Sequence, residues 1–315
     1  MNRKLLVSLG IAAVLVAVIV IQKADFRGGV SEPGKLQSPS DLITVKADGY
    51  SLKLLKSGDK WLINEQGYPA DRDQVADIEK KISEIKLLDL VSEKGYFDKY
   101  DLTENKGVEV TASAGGKQLR KLMIGKQGLT GNQVYVRLDD AKEVYLASGI
   151  TPAEFKPEAD MLRDKKIFDV KGDELLSFIV KYSGKEYIFT KAEDKKEEPK
   201  EKADDGKAPA TKQILWVCKG YESMELNTSM INNIVHSFSP LRASTFAEKP
   251  DKGNVVCTVK LKTAGGDYEL NIYSKKDKEM YYASSPSNPY IFTLGGWQTE
   301  KYFIKNIKDL EKKKG

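Results

Sequence analysis

The chain has 315 residues, with 51 Lys and Arg against 46 Asp and Glu, a net charge of +5, one histidine and two cysteines. The positive excess is spread along the chain and not gathered into a stripe, which argues against a nucleic-acid binder. A single histidine excludes His-rich and binuclear metal centres, and two cysteines cannot hold zinc or an iron–sulfur cluster unaided. No cofactor, metal or small-molecule substrate is expected.

Leu5–Ile21 is an apolar run broken only by Ser8 and Gly10. As a helix it spans about 25 Å, at the short end of what crosses a bilayer. Lys4 and Lys23 at its flanks can reach the two interfaces. Arg3 and Lys4 before the run outweigh Lys23, Asp25 and Arg27 after it. The positive-inside bias therefore predicts a cytoplasmic tip and anchor over 1–23 and an exported body. The expected location is the bacterial inner (cytoplasmic) membrane, single-pass, with the body in the periplasm. A cleaved signal peptide is the alternative. Its apolar core would be shorter and would end in a small-x-small site, which Val20-Ile21-Gln22-Lys23 lacks. Residues 24–40, holding Gly28, Pro33 and Pro39, read as a tether.

Thr44–Lys56 alternates and ends at Ser57-Gly58, a hairpin signal, and Lys60–Asn64 reads as the return strand. Asp71 follows Tyr68-Pro69-Ala70 as a helix cap, with Gln74 at capping-box spacing. Val75, Ile78, Ile82 and Ile85 then share one helical face. Val108–Ala112 and Leu119–Ile124 flank Gly115-Gly116, and Val134–Arg137 and Glu143–Leu146 flank Asp139-Asp140. Thr151-Pro152 opens a short helix.

The same order returns in the second half. Phe178–Val180 and Glu186–Phe189 flank Ser183-Gly184. Trp216 stands where Trp61 stood, and Asn227 takes the cap role of Asp71. Ile231, Ile234, Val235 and Phe238 form the helix stripe. Val255–Lys262 and Tyr268–Tyr273 flank Gly265-Gly266, Tyr281-Tyr282 and Tyr290–Leu294 follow, and Thr299–Leu310 reads as a closing helix. The expected fold is α+β: two tandem modules of mainly antiparallel sheet with a packed helix, at 41–170 and 171–312, preceded by one transmembrane helix. Duplication of one unit of about 130 residues accounts for the order. Lys191–Lys212 interrupts the second module with seven basic and seven acidic residues. It has no aliphatic residue larger than Ala and reads as a disordered surface insertion.

Motifs that carry chemistry are sparse. Gly125-x-x-Gly128-x-x-Gly131 lacks the Lys-Ser/Thr of a phosphate loop, and there is no Gly-x-Ser-x-Gly elbow. His236 lies beside Ser239-Pro240 but follows the apolar helical face, with no orienting carboxylate close in sequence. A packed or helix-surface histidine is expected there, not a base. Asp139-Asp140 reads as a turn, since adjacent strand residues point to opposite faces. Cys218 and Cys257 each lie on a strand face that reads as buried. They are two core residues, or a disulfide if the strands are adjacent. Tyr281, Tyr282, Tyr290 and Trp297 form a candidate contact patch, because exposed aromatics stack on sugars or make protein hot spots. Sheet packing is the default for about half of the aromatics of this region.

One set of residues carries a family resemblance. Trp61-x-Ile63, Tyr68-Pro69-Ala70-Asp71, Phe97-Asp98-Lys99-Tyr100-Asp101-Leu102, Leu122-x-Ile124-Gly125, Val134-Tyr135-Val136-Arg137, Val144-Tyr145-Leu146 and Leu162-Arg163-Asp164-Lys165 come in this order. The pattern resembles the bacterial domain of unknown function 4340 family. The family's usual Tyr-Gly-Leu stands here as Tyr100-Asp101-Leu102, and Gly accepts a positive φ more readily than Asp. The resemblance implies one N-terminal membrane segment and association with ABC transport systems, including gliding-linked ones. It implies no catalytic residues.

The function expected from all this is that of a non-enzymatic accessory or interaction protein of the cell envelope. It would hold the membrane through residues 5–21 and bind a protein partner, an ABC permease or related subunit. The alternative is a cell-envelope polysaccharide-binding module that uses the aromatic patch. A hydrolase based on His236 is the enzyme alternative.

Overall fold

The structure is a computed structural model and describes residues 30, 33–192, 215–248, 250–275 and 279–313. The apolar run Leu5–Ile21, and residues 193–212 of the charged insertion, lie outside these described residues. Among the described residues no helix is long and apolar enough to cross a membrane. The chain divides into two compact units, Met1–Asp164 and Lys165–Gly315. The division comes earlier than the expected 170, because Lys166 and Phe168 pair with Arg242 and Leu241 of the second unit.

In the first unit, β1 (Leu42–Ala47), β2 (Tyr50–Ser57), β3 (Lys60–Ile63) and β4 (Tyr68–Pro69) lead into helix α1 (Arg72–Ser83). Then come β5 (Lys86–Ser92), β6 (Val108–Ala114), β7 (Lys117–Gln127), β8 (Gln133–Leu138) and β9 (Val144–Ser148). A 3₁₀ turn (Pro152–Phe155) and the short α2 (Ala159–Leu162) close the unit. The strands form one antiparallel sheet in the order β4-β3-β2-β1-β6-β7-β8-β9-β5. The expected strand over 44–56 is broken at Asp48-Gly49, where Gly49 takes φ +65° and the chain reverses. Asp-Gly is itself a hairpin signal.

Helix α1 starts where the cap places it. The Asp71 carboxylate accepts from the Asp73 and Gln74 amides at 3.0 and 3.4 Å. Gln74 does not complete the expected capping box, since its side chain donates to the Met161 carbonyl at 2.9 Å. Val75, Ile78 and Ile82 pack with Ile43, Leu54, Trp61 and Val110 in the core. The far end of α1 is capped by Arg120, which donates to the Ile82 and Ser83 carbonyls at 2.9 and 3.0 Å, two of the acceptors a helix end leaves open. The same guanidinium donates to Pro33 and Gly34. Leu36 and Ser40 are bonded to Ser83 and Glu79. Residues 33–40 therefore belong to the body, which corrects the reading of 24–40 as tether throughout.

The second unit begins with β10 (Lys166–Phe168), β11 (Leu175–Tyr182), β12 (Lys185–Lys191) and β13 (Trp216–Cys218). Helix α3 spans Thr228–His236. It is followed by β14 (Leu241–Arg242), β15 (Phe246–Ala247), β16 (Val255–Thr263), β17 (Gly266–Lys275), β18 (Met280–Ser285), β19 (Asn288–Gly295) and α4 (Gly296–Thr299). β10 and β14 pair with each other, and the others form a second antiparallel sheet in the order β13-β12-β11-β16-β17-β18-β19-β15. Adding ten to each strand label from β3 to β5 in the first sheet reproduces this order.

The register also coincides. Ile63, Leu54, Ile43 and Ala112 face one another across β3, β2, β1 and β6. Cys218, Phe189, Phe178 and Leu261 do so across β13, β12, β11 and β16. Both units close in the same way. Ala70 bridges Arg163 and Leu226 bridges Glu311. The cap amides of Asp71 and Asn227 donate to Leu162 and Leu310, each at 2.7 Å. The architecture is thus mainly antiparallel β, with two large sheets and few short helices. The closing helix expected over 299–310 is instead α4, a 3₁₀ turn at Glu300–Tyr302 and another at Ile307–Leu310.

Candidate functional site

The structure separates most of the residues that the sequence grouped. Cys218 and Cys257 are free and buried. Cys218 sits on β13 and Cys257 on β16, with β12 and β11 between them. Three strand spacings of about 4.8 Å put them about 14 Å apart, beyond the reach of a disulfide. The disulfide reading is therefore corrected, and the two thiols fill places that Ile63 and Val108 fill in the first sheet. Burial pushes Cys218 up to about 11 and Cys257 to about 12, so neither is a ready nucleophile.

The aromatic patch does not assemble as one surface. Tyr281 is buried with its ring edge-on to Phe303 at 5.2 Å. Tyr282 pairs with Thr293 on the opposite face of β18. Tyr290 meets Phe246 at 5.9 Å. Trp297 alone is strongly exposed, at 78%.

Trp297 belongs to a different constellation. It lines a groove of about 470 Å³ with Asn233, His236, Ser237, Pro240, Gln298 and Lys301. Asn233 and His236 stand one turn apart on the exposed side of α3. Trp297 and Lys301 come from α4 and the turn after it. The turn is fixed by Gln298, whose side-chain carbonyl accepts from the Gly295 amide at 3.0 Å and whose amide donates to Arg242. The indole lies so close over Gly295 that a Cβ there would meet Nε1 at 2.9 Å. The Lys301 ammonium is 5.7 Å from the indole centre, and burial lowers its pKa. His236 is exposed, as expected for a helix-surface residue.

A second exposed feature lies in the first unit. β5 is the edge strand of its sheet, and Leu90 and Val91 on it are exposed. Leu129, fully exposed, sits on the β7–β8 loop. A Cβ on the adjoining Gly128 would lie 3.0 Å from Leu146, and Leu146 pairs with Asp89 of β5.

The sequence matches the family model Domain of unknown function (DUF4340) over residues 61–255, more than half of the chain. The chain belongs to the DUF4340 family. No curated protein and no solved structure matches it.

The DUF4340 motifs resolve into structural clusters. Tyr68-Pro69-Ala70-Asp71 and Leu162-Arg163-Asp164-Lys165 meet in the clasp that closes the first unit. There the Arg163 guanidinium lies 4.0 Å from the Tyr68 ring centre, and the Asp164 amide donates to Pro69 at 2.8 Å. Trp61, Ile63, Leu122, Ile124, Val134 and Val136 of the other motifs belong to the main core, while Leu102, Met123 and Val144 form a small second core with Phe97, Tyr100 and Tyr135. Arg137 stacks on Phe97 at 4.5 Å, and Tyr100 meets Tyr135 at 4.8 Å. Gly125 is required because a Cβ there would lie 2.0 Å from the Tyr100 carbonyl. Asp101, where the family usually has Gly, holds φ +56°, so the left-handed turn is kept. The motifs specify packing and turn geometry.

Proposed function

We propose that this DUF4340 chain is a non-enzymatic, membrane-anchored accessory protein of the bacterial cell envelope. Leu5–Ile21 is the single transmembrane helix, the N-terminus is cytoplasmic and the body is periplasmic. The body docks on a subunit of an ABC-type transport or gliding-linked assembly, in line with the family resemblance. The anchor and its charged flanks support the location.

The observation that carries the docking role is the β5 edge. An edge strand presents unpaired backbone groups, and here Leu90, Val91 and Leu129 add apolar side chains beside it. Such an edge suits a partner strand added in register, with backbone bonds for affinity and side chains for selectivity.

A photo-crosslinking residue placed at Leu90 of the full chain in native membranes tests this. The expected result is one discrete adduct, identified as a permease subunit and lost on Val91→Glu. The absence of an adduct, or the same adducts from position 176 of the second unit, would contradict it.

A further inference from the structure

The groove around Trp297 has a feature that a packing role does not explain. A large indole is 78% exposed yet held in place against Gly295. The corresponding turn of the first unit shows what closes such a place. There Thr151 and Glu154 make the same box as Gly295 and Gln298, and Ala153 stands where Trp297 stands. Glu154 also pairs with Lys81 of α1 at 2.7 Å, tying the turn to the helix. Counted from the caps Asp71 and Asn227, Lys81 corresponds to Ser237. Ser237 turns inward to the Tyr302 hydroxyl at 2.6 Å, and Gln298 is bonded to Arg242. The ion pair is replaced by an open groove with an aromatic wall.

The chemistry of the lining narrows the occupant. Lys301 and His236 are the lining residues that can carry charge, and among the described residues no carboxylate lines the groove. The neighbouring Glu300 is directed at the Tyr281 hydroxyl, 3.4 Å away. The Lys301 ammonium is partly desolvated and has no carboxylate partner among the described residues. An incoming anion would restore what burial removes. A dianionic phosphate would want more donors than the turn can offer, since the Gly295 and Gly296 amides are already bonded to Gln298 and Glu279. A single carboxylate matches the single ammonium. The indole supplies a flat apolar face beside it, and Asn233 and His236 supply hydrogen-bonding groups on the opposite wall.

We propose that this groove binds an acidic sugar residue of hexuronate type, its ring face on Trp297, its carboxylate at Lys301 and its hydroxyls toward Asn233 and His236. The site is separate from the β5 edge and stands whether or not that edge docks a partner.

Calorimetric titration of the full chain in detergent with trigalacturonate and with its methyl ester tests it. The ester keeps the rings and removes the charge. The acid should bind roughly tenfold more tightly than the ester, as expected for one charge-assisted contact. Lys301→Met should remove that difference, and Trp297→Ala should abolish binding of both. Because the indole is exposed, Trp297→Ala should leave the melting temperature unchanged, which separates loss of binding from loss of fold. No binding of the acid, equal binding of acid and ester by the native chain, or full affinity in Trp297→Ala would overturn the proposal.

Discussion

At the scale of single residues, several side chains identified as chemically suggestive turn out to be parts of the packing. The cysteines are the clearest case. Each thiol lies under a sheet face, and burial raises its pKa to about 11 at Cys218 and about 12 at Cys257, from about 8.5 in an unfolded chain. The folded state thus favours the neutral thiol. That contribution to stability is complete below about pH 8.5 and is lost as pH rises from there through the folded values. At about pH 8 the native protein should take up no iodoacetamide on either cysteine, and both should react once the chain is denatured. Fast labelling of the native protein would mean that β13 or β16 is open. Asp101 shows the opposite relation between residue and backbone. It accepts a left-handed conformation that Gly would take at lower cost, because Tyr100 on one side and Leu102 on the other are fixed in the small core.

At the scale of elements, the caps and the tryptophans do the same work in both units. Trp61 on β3 and Trp216 on β13 are 8% and 7% exposed. Trp61 shares a core with Val75 and Ile78, and Trp216 shares one with Ile231 and Ile234. Replacing either with Ala should cost about 3–5 kcal/mol in a denaturant titration, as for other large buried aromatics. A loss below about 1 kcal/mol for either would show that the indole is not seated between sheet and helix. Much of this level was legible in the sequence. The turn pairs Gly115-Gly116 and Gly265-Gly266 and the caps Asp71 and Asn227 are local signals, and the structure places elements where they point. Three elements were not legible. Alternation runs on through Asp48-Gly49, so the first hairpin reads as one strand. β5 buries only Leu87 fully and so lacks a strand's usual periodicity. Tyr302, Ile304, Ile307 and Leu310 fall at near-helical spacing, but the segment is bent into 3₁₀ turns to cover the sheet. The groove was hidden for another reason. Asn233 and His236 are some sixty residues from Trp297 and Lys301, and only the fold brings them together. The sequence grouped Trp297 with Tyr281, Tyr282 and Tyr290, whereas the structure sets it beside Asn233, His236 and Lys301.

At the scale of the whole molecule, two units with one strand order follow an apolar run, and the family motifs describe how the first of them is closed and packed. The functional account rests on where that body is held. Residues 33–40 are fastened to α1 through Arg120, Ser83 and Glu79. In the proposed topology only the nine residues 24–32 separate Lys23 from the fastened segment. Protease accessibility tests this account most directly. Protease added to intact spheroplasts should degrade the body and leave only a membrane-protected fragment around Leu5–Ile21, whereas right-side-in vesicles of inverted membrane should protect it. Full protection of the body in spheroplasts, with degradation in inverted vesicles, would place it in the cytoplasm and contradict the account.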